Sequence, residues 1–105
     1  MPYFPLLSDV TDDFVARRAP FRADHLHLAG EADNRGDIVL AGALAEPADT
    51  ALIIFHCSDK SVAEDFARRD PYVVNGLVKK WTVRPWTVVI GQALETASPS
   101  GGRLQ

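Results

Sequence analysis

The chain has 105 residues, 47% of them hydrophobic and 24% charged, proportions close to those of ordinary globular domains. That length allows one domain and one core, since a folded chain of this size removes roughly 65% of its unfolded surface from water. A formal net charge of −3, with Lys and Arg scattered along the chain, leaves no basic field for a phosphate backbone, so nucleic acid is excluded as an expected partner.

The longest apolar stretch, Ala51 to Phe55, is far short of the roughly 20 residues that span a bilayer. The N-terminus has no charged region leading into an apolar run and a cleavage site. No membrane association is expected, and a cytoplasmic location is. The single cysteine, Cys57, cannot close an internal disulfide, which fits a reducing compartment. Nothing near it in sequence would lower a thiol pKa, so it reads as a small apolar residue in a strand.

In chain order, Tyr3 to Leu7 is an apolar run of strand type, weakened by Pro5, which cannot donate to a ladder and is awkward in a central strand. Asp9 to Arg18 is polar and turn-like, then a short helical turn. The main helix is expected to open at Pro20, where the missing N–H costs nothing, and to close at Asn34-Arg35-Gly36, where glycine accepts a left-handed cap. Two strands follow, Asp37 to Leu44 and Thr50 to Cys57. Their short, proline-bearing connection makes them an antiparallel hairpin.

Ser61-Val62-Ala63-Glu64 has the form of a capping box and predicts a second helix, which Pro71 stops. A brief turn or helix spans Tyr72 to Val78, and Lys80 to Ile90, rich in Trp, Thr and Val, predicts the last strand. The order βαββαβ predicts an α+β fold of the ferredoxin-like kind, with an antiparallel sheet, over residues 1–92. Residues 93–105, small and polar, read as a flexible tail.

Projecting both helices at about 100° per residue shows which polar side chains fall among apolar ones. On the first, His25 falls in the arc of Phe21, Leu28 and Ala32, whereas His27 faces away with Asp24 and Glu31. On the second, Asp70 projects into the stripe of Val62, Ala63, Phe66 and Ala67. An inward carboxylate is costly without a partner, and an inward histidine in the same layer is one. A histidine held by a carboxylate is a common general base near neutral pH. Each residue also has a plainer reading: Asp70 precedes a proline at a helix end, where aspartate forms turns, and a lone histidine on an apolar face is usually a satisfied core residue.

His25 and His27, two apart on a helix, cannot converge on one ion, and His56 has no ligand cluster near it, so no metal is expected. No phosphate loop, nucleophile elbow or paired-cysteine motif is present, and no cofactor is implied. Tyr72 and Trp81, with Trp86, are candidates to line a pocket for a planar ligand, although aromatic residues on a strand more often pack the fold. Arg22, one turn before His25, is a candidate to hold a substrate carboxylate or a solvated surface residue.

Four segments, in order, resemble motifs of the YciI-like family. Arg22-Ala23-Asp24-His25-Leu26 resembles its R-x-x-H-L, and Ala41 to Pro47 its G-G-P-L-A-x-P, with Ala43 where many relatives have proline. Ala67 to Val78 is similar to A-x-x-D-P-Y/F-V-x-x-G-L-V, and Val83-Arg84-Pro85-Trp86-Thr87-Val88 to the closing strand.

The resemblance implies a ferredoxin-like subunit that forms a homodimeric α+β barrel, with His25 and Asp70 as its active-site pair. It further implies proton-abstraction chemistry on a small cyclic acid or phenol, by a lyase such as a dehydrochlorinase or by an isomerase. The alternative is a non-catalytic module that binds a small metabolite in the same pocket. Dimerisation also suits Leu52 to Phe55, apolar on both sheet faces.

Overall fold

The alternation Phe4, Leu6, Ser8, Val10 gives the first strand one buried face, and it is this burial that carries it into the middle of the sheet. The computed structural model describes residues 1–91; the tail expected from residue 93 onward lies outside them. Strand β1 (Tyr3–Val10) is followed by α1 (Phe14–Arg17), α2 (Ala19–Asn34), β2 (Ile38–Ala43) and β3 (Thr50–His56). Then come α3 (Lys60–Arg69), α4 (Pro71–Val74) and β4 (Val78–Val83). The sheet order is β2-β3-β1-β4, with every neighbouring pair antiparallel. This is the ferredoxin-like α+β arrangement.

Pro5 therefore sits in a central strand, and the reason it is tolerated lies in its register. Its carbonyl accepts from Arg84 N–H, on the β4 side, so its missing donor points the same way. There β4 has already ended at Val83, so the missing donor falls beyond the regular ladder.

The last strand is also shorter than its composition predicts, Val78–Val83 in place of Lys80 to Ile90. Pro85 has no N–H and restricts Arg84, and beyond the ladder an isolated bridge joins Trp86 to Tyr3. Helix α3 opens one residue before the expected serine. Asp59 is its cap, its carboxylate accepting from Ser61 N–H at 3.1 Å, so the Ser61–Glu64 capping box is not the one used. Gly36, at φ 84°, takes the left-handed conformation expected after α2.

Helices cover one sheet face. The larger core cluster places Phe4, Leu6, Ile53 and Phe55 of the sheet beneath Ala63 and Phe66 of α3, with Ala32 of α2. A smaller cluster holds Val10, Phe14, Tyr72 and Leu77. Along β1, Phe4 and Leu6 feed the first cluster and Val10 the second; Ser8 stands between. The opposite sheet face carries Pro5 and Leu7 beside Ile54 and Leu52, with Leu40 paired to Ile54 and 70% exposed.

Candidate functional site

Small side chains on both walls leave open space between α2 and the sheet. Ala41, Ala43 and Ala51 face Ala29 across a cavity of about 240 Å³, in which Ser8 and Ile53 also take part. An engineered apolar cavity of roughly 150 Å³ admits benzene, so a single substituted ring is within its capacity.

The polar wall begins with Pro71. Proline disfavours helical backbone at the preceding residue, and Asp70 accordingly adopts φ −64°, ψ 122° between α3 and α4. That bend turns its carboxylate back, and Oδ1 accepts from Tyr72 N–H at 3.0 Å, capping α4. The same oxygen lies 2.8 Å from His25 Nδ1. The turn-forming and histidine-pairing roles that the sequence offers as rivals are thus performed by one oxygen.

An acceptor already engaged by a backbone amide takes the imidazole as a second donor, so Nδ1–H donates and Nε2 is left as the acceptor of the neutral ring. Both side chains are well covered, at 18% exposure for His25 and 8% for Asp70. Tyr72 stacks on the imidazole, ring centroids 4.0 Å apart and planes 15° from parallel, and meets the edge of Phe14 on its other side. The imidazole is therefore fixed both in its plane and in its tautomer.

Tyr72 itself is 6% exposed, and its hydroxyl has no hydrogen-bond partner among the described residues. Burial pushes its pKa above 10.0, while the guanidiniums of Arg22 and Arg18 pull the other way without completing a well-formed hydrogen bond. The phenol is neutral at neutral pH, a donor. Arg18 is itself held over the Phe14 ring at 5.5 Å.

Of the five residues singled out from sequence, His25, Asp70, Arg22 and Tyr72 come together around the cavity. Trp81 does not. It packs against the larger core cluster with Arg68 5.9 Å over its ring, because β4 aims it at α3 and away from the cavity. The other histidines are engaged elsewhere: exposed His27 lies 3.5 Å from Glu31, and His56 stacks on Tyr3 at 4.4 Å. Among the described residues, no group of three or more His, Cys, Asp or Glu could hold a metal ion. Nor is any described helix long and apolar enough to cross a membrane.

Sequence reading passed over Arg18, Ser8 and Phe14. Ser8 had a signal, a lone hydroxyl in the inward series of β1. Phe14 and Arg18 are four residues apart, the spacing at which side chains meet on a helical turn.

Comparison with family models matches residues 1–87 to the YCII-related domain. The chain belongs to the YCII-related family. No curated protein matches the sequence. Among solved structures, the fold is similar to 5-chloro-2-hydroxyhydroquinone dehydrochlorinase (TftG) from Burkholderia phenoliruptrix AC1100, in complex with 2,5-dihydroxybenzoquinone. That likeness has a TM-score of 0.68 at 16% identity, covering 81% of this chain and 93% of the other. At such identity it is a likeness of fold.

Proposed function

We propose that this YCII-related protein is a small-molecule enzyme of proton-abstraction type, a lyase or isomerase acting on a compact cyclic acid or phenol. The observation that carries the proposal is the His25 Nδ1 to Asp70 Oδ1 contact of 2.8 Å in the wall of a cavity sized for one ring. His25 Nε2 accepts a proton from a substrate oxygen or carbon. Asp70 orients the ring and stabilises the imidazolium that results.

In an elimination, the electron pair released by deprotonation expels a leaving group from the ring. In an isomerisation, the imidazolium returns the proton at another carbon. Arg22 and Tyr72 contact the substrate. The dehydrochlorinase fold likeness, with a dihydroxybenzoquinone in that protein, supports the class of chemistry without naming the substrate.

We further propose a homodimer, joined through the sheet face of Leu7, Leu40, Leu52 and Ile54. The test of activity is a screen of chlorinated and hydroxylated single-ring acids and phenols against wild type and His25→Ala. Turnover in the wild type and none in a folded His25→Ala protein is the expected result. Equal turnover in both would remove His25 from the chemistry. A compound bound tightly and recovered unchanged would favour the binding-module alternative.

A further inference from the structure

The charges around the cavity do not balance. Arg18 and Arg22 both line it, one helical turn apart, and neither has a carboxylate partner among the described residues. Asp70 is the one carboxylate among the described lining residues, and its Oδ1 already receives His25 and Tyr72 N–H. Two like charges at this spacing repel. Their excess sits in a cleft of a chain whose formal net charge is −3, so it is a local arrangement and no reflection of overall composition.

A second observation is independent of the first. The Tyr72 hydroxyl is buried in the same wall without a partner. Buried hydroxyls are nearly always satisfied, and one that is not, beside two guanidiniums without carboxylate partners, is a donor waiting for an acceptor. An anionic oxygen group meets all three requirements, since it accepts from a phenol O–H and from two guanidiniums and offsets their repulsion. The rest of the lining, including Val10, Ala29, Ala51, Ile53 and Val78, is apolar and suits the face of a ring.

We propose that Arg18, Arg22 and the Tyr72 hydroxyl form a subsite for an anionic oxygen substituent, a carboxylate or an ionised phenol, on a single-ring ligand. As a statement about substrate it rests on the His25 reading above; the subsite itself is tested without turnover. Arg18 holds the anionic group from its perch on Phe14, Arg22 closes on it from the next turn, and Tyr72 donates from below.

The test is a titration of the full-length protein, followed by NMR, with benzoate, with benzamide, and with 4-nitrophenol above and below that phenol's own pKa. Benzoate should bind roughly tenfold more tightly than its neutral isostere, the increment expected of a charge-assisted contact. Arg18→Gln and Arg22→Gln should each remove most of that preference and leave benzamide unaffected. Tyr72→Phe should weaken benzoate several-fold in a protein no less stable than wild type, the lost hydroxyl having had no partner in the free protein.

Tighter 4-nitrophenol binding above its pKa assigns ionised phenols to the subsite, and indifference to its ionisation restricts the subsite to carboxylates. His25→Gln should keep the preference for benzoate, so failure of the catalytic reading leaves this result standing. Absence of saturable benzoate binding would overturn the proposal. So would equal binding of benzoate and benzamide, or a preference that survives both arginine variants and disappears in His25→Gln.

Discussion

Replacing Asp70 by alanine removes two bonds from one buried oxygen, and their worth can be worked separately. A hydrogen bond to a charged group contributes about 1.5–3 kcal/mol, and at 8% exposure there is little solvent to screen the one from His25. The cap on Tyr72 N–H contributes about 1 kcal/mol. Asp70→Ala should therefore cost roughly 2.5–4 kcal/mol. Asp70→Asn keeps a carbonyl oxygen for both donors, and since neutral hydrogen bonds are about half as strong as charge-assisted ones, its cost should be roughly 1 kcal/mol.

For a chain of this length each kcal/mol moves Tm by about 5 °C, which separates the two variants by roughly 10 °C. The assay is urea unfolding with thermal melts at one fixed protein concentration, accompanied by histidine nitrogen shifts that report which ring nitrogen carries the proton. In Asp70→Ala the His25 ring should lose its fixed Nδ1–H tautomer. A loss below about 1 kcal/mol for alanine, or equal losses for both variants, would refute the assignment of two bonds to this oxygen.

Phe55, fully buried and edge-on to Phe66 at 5.4 Å, is the centre of the larger core; Phe55→Ala should cost about 3–5 kcal/mol by equilibrium unfolding. Burial pushes the Cys57 thiol above 9.0, and the residue is 2% exposed, so alkylation at neutral pH should be slow until denaturant is added. Because the folded thiol is raised, its contribution to stability is fully present below 9.0 and is lost as pH climbs through the folded value. Wild type should accordingly lose stability more steeply than Cys57→Ala on the alkaline side, as read by urea midpoints across pH. Leu52→Glu, on the open sheet face, should shift sedimentation from dimer to monomer, whereas a wild type that is already a well-folded monomer at low concentration would rule the dimer out.

The candidate pair was legible because helical periodicity is a local property. A 3.6-residue repeat assigns His25 inward and His27 outward without knowledge of what either will meet, and side-chain exposures of 18% and 77% follow that division. The same logic found the apolar stripe of α3 and the bend at Asp70-Pro71. It failed where pairing across the sheet decided the outcome. Trp81 reads as aromatic and available, yet its direction depends on which face of β4 meets the helices, and that depends on its register with β1. Arg18 lay in a polar stretch where its spacing of four from Phe14 was all that set it apart from Arg17, which turns outward to Asp13 at 3.6 Å while Arg18 lies over Phe14.

The sequence by itself determined the order of elements, the two helix faces and the inward direction of His25 and Asp70, because hydrophobic period, proline and glycine act over a few residues. Only the tertiary structure decided that Pro5 could occupy a central strand and that alanines on facing elements leave a cavity between the two core clusters. It also decided that two arginines and a buried, unpartnered hydroxyl share that cavity. Each of these depends on which surfaces of separate elements face one another, and a pattern confined to one element carries no information about that.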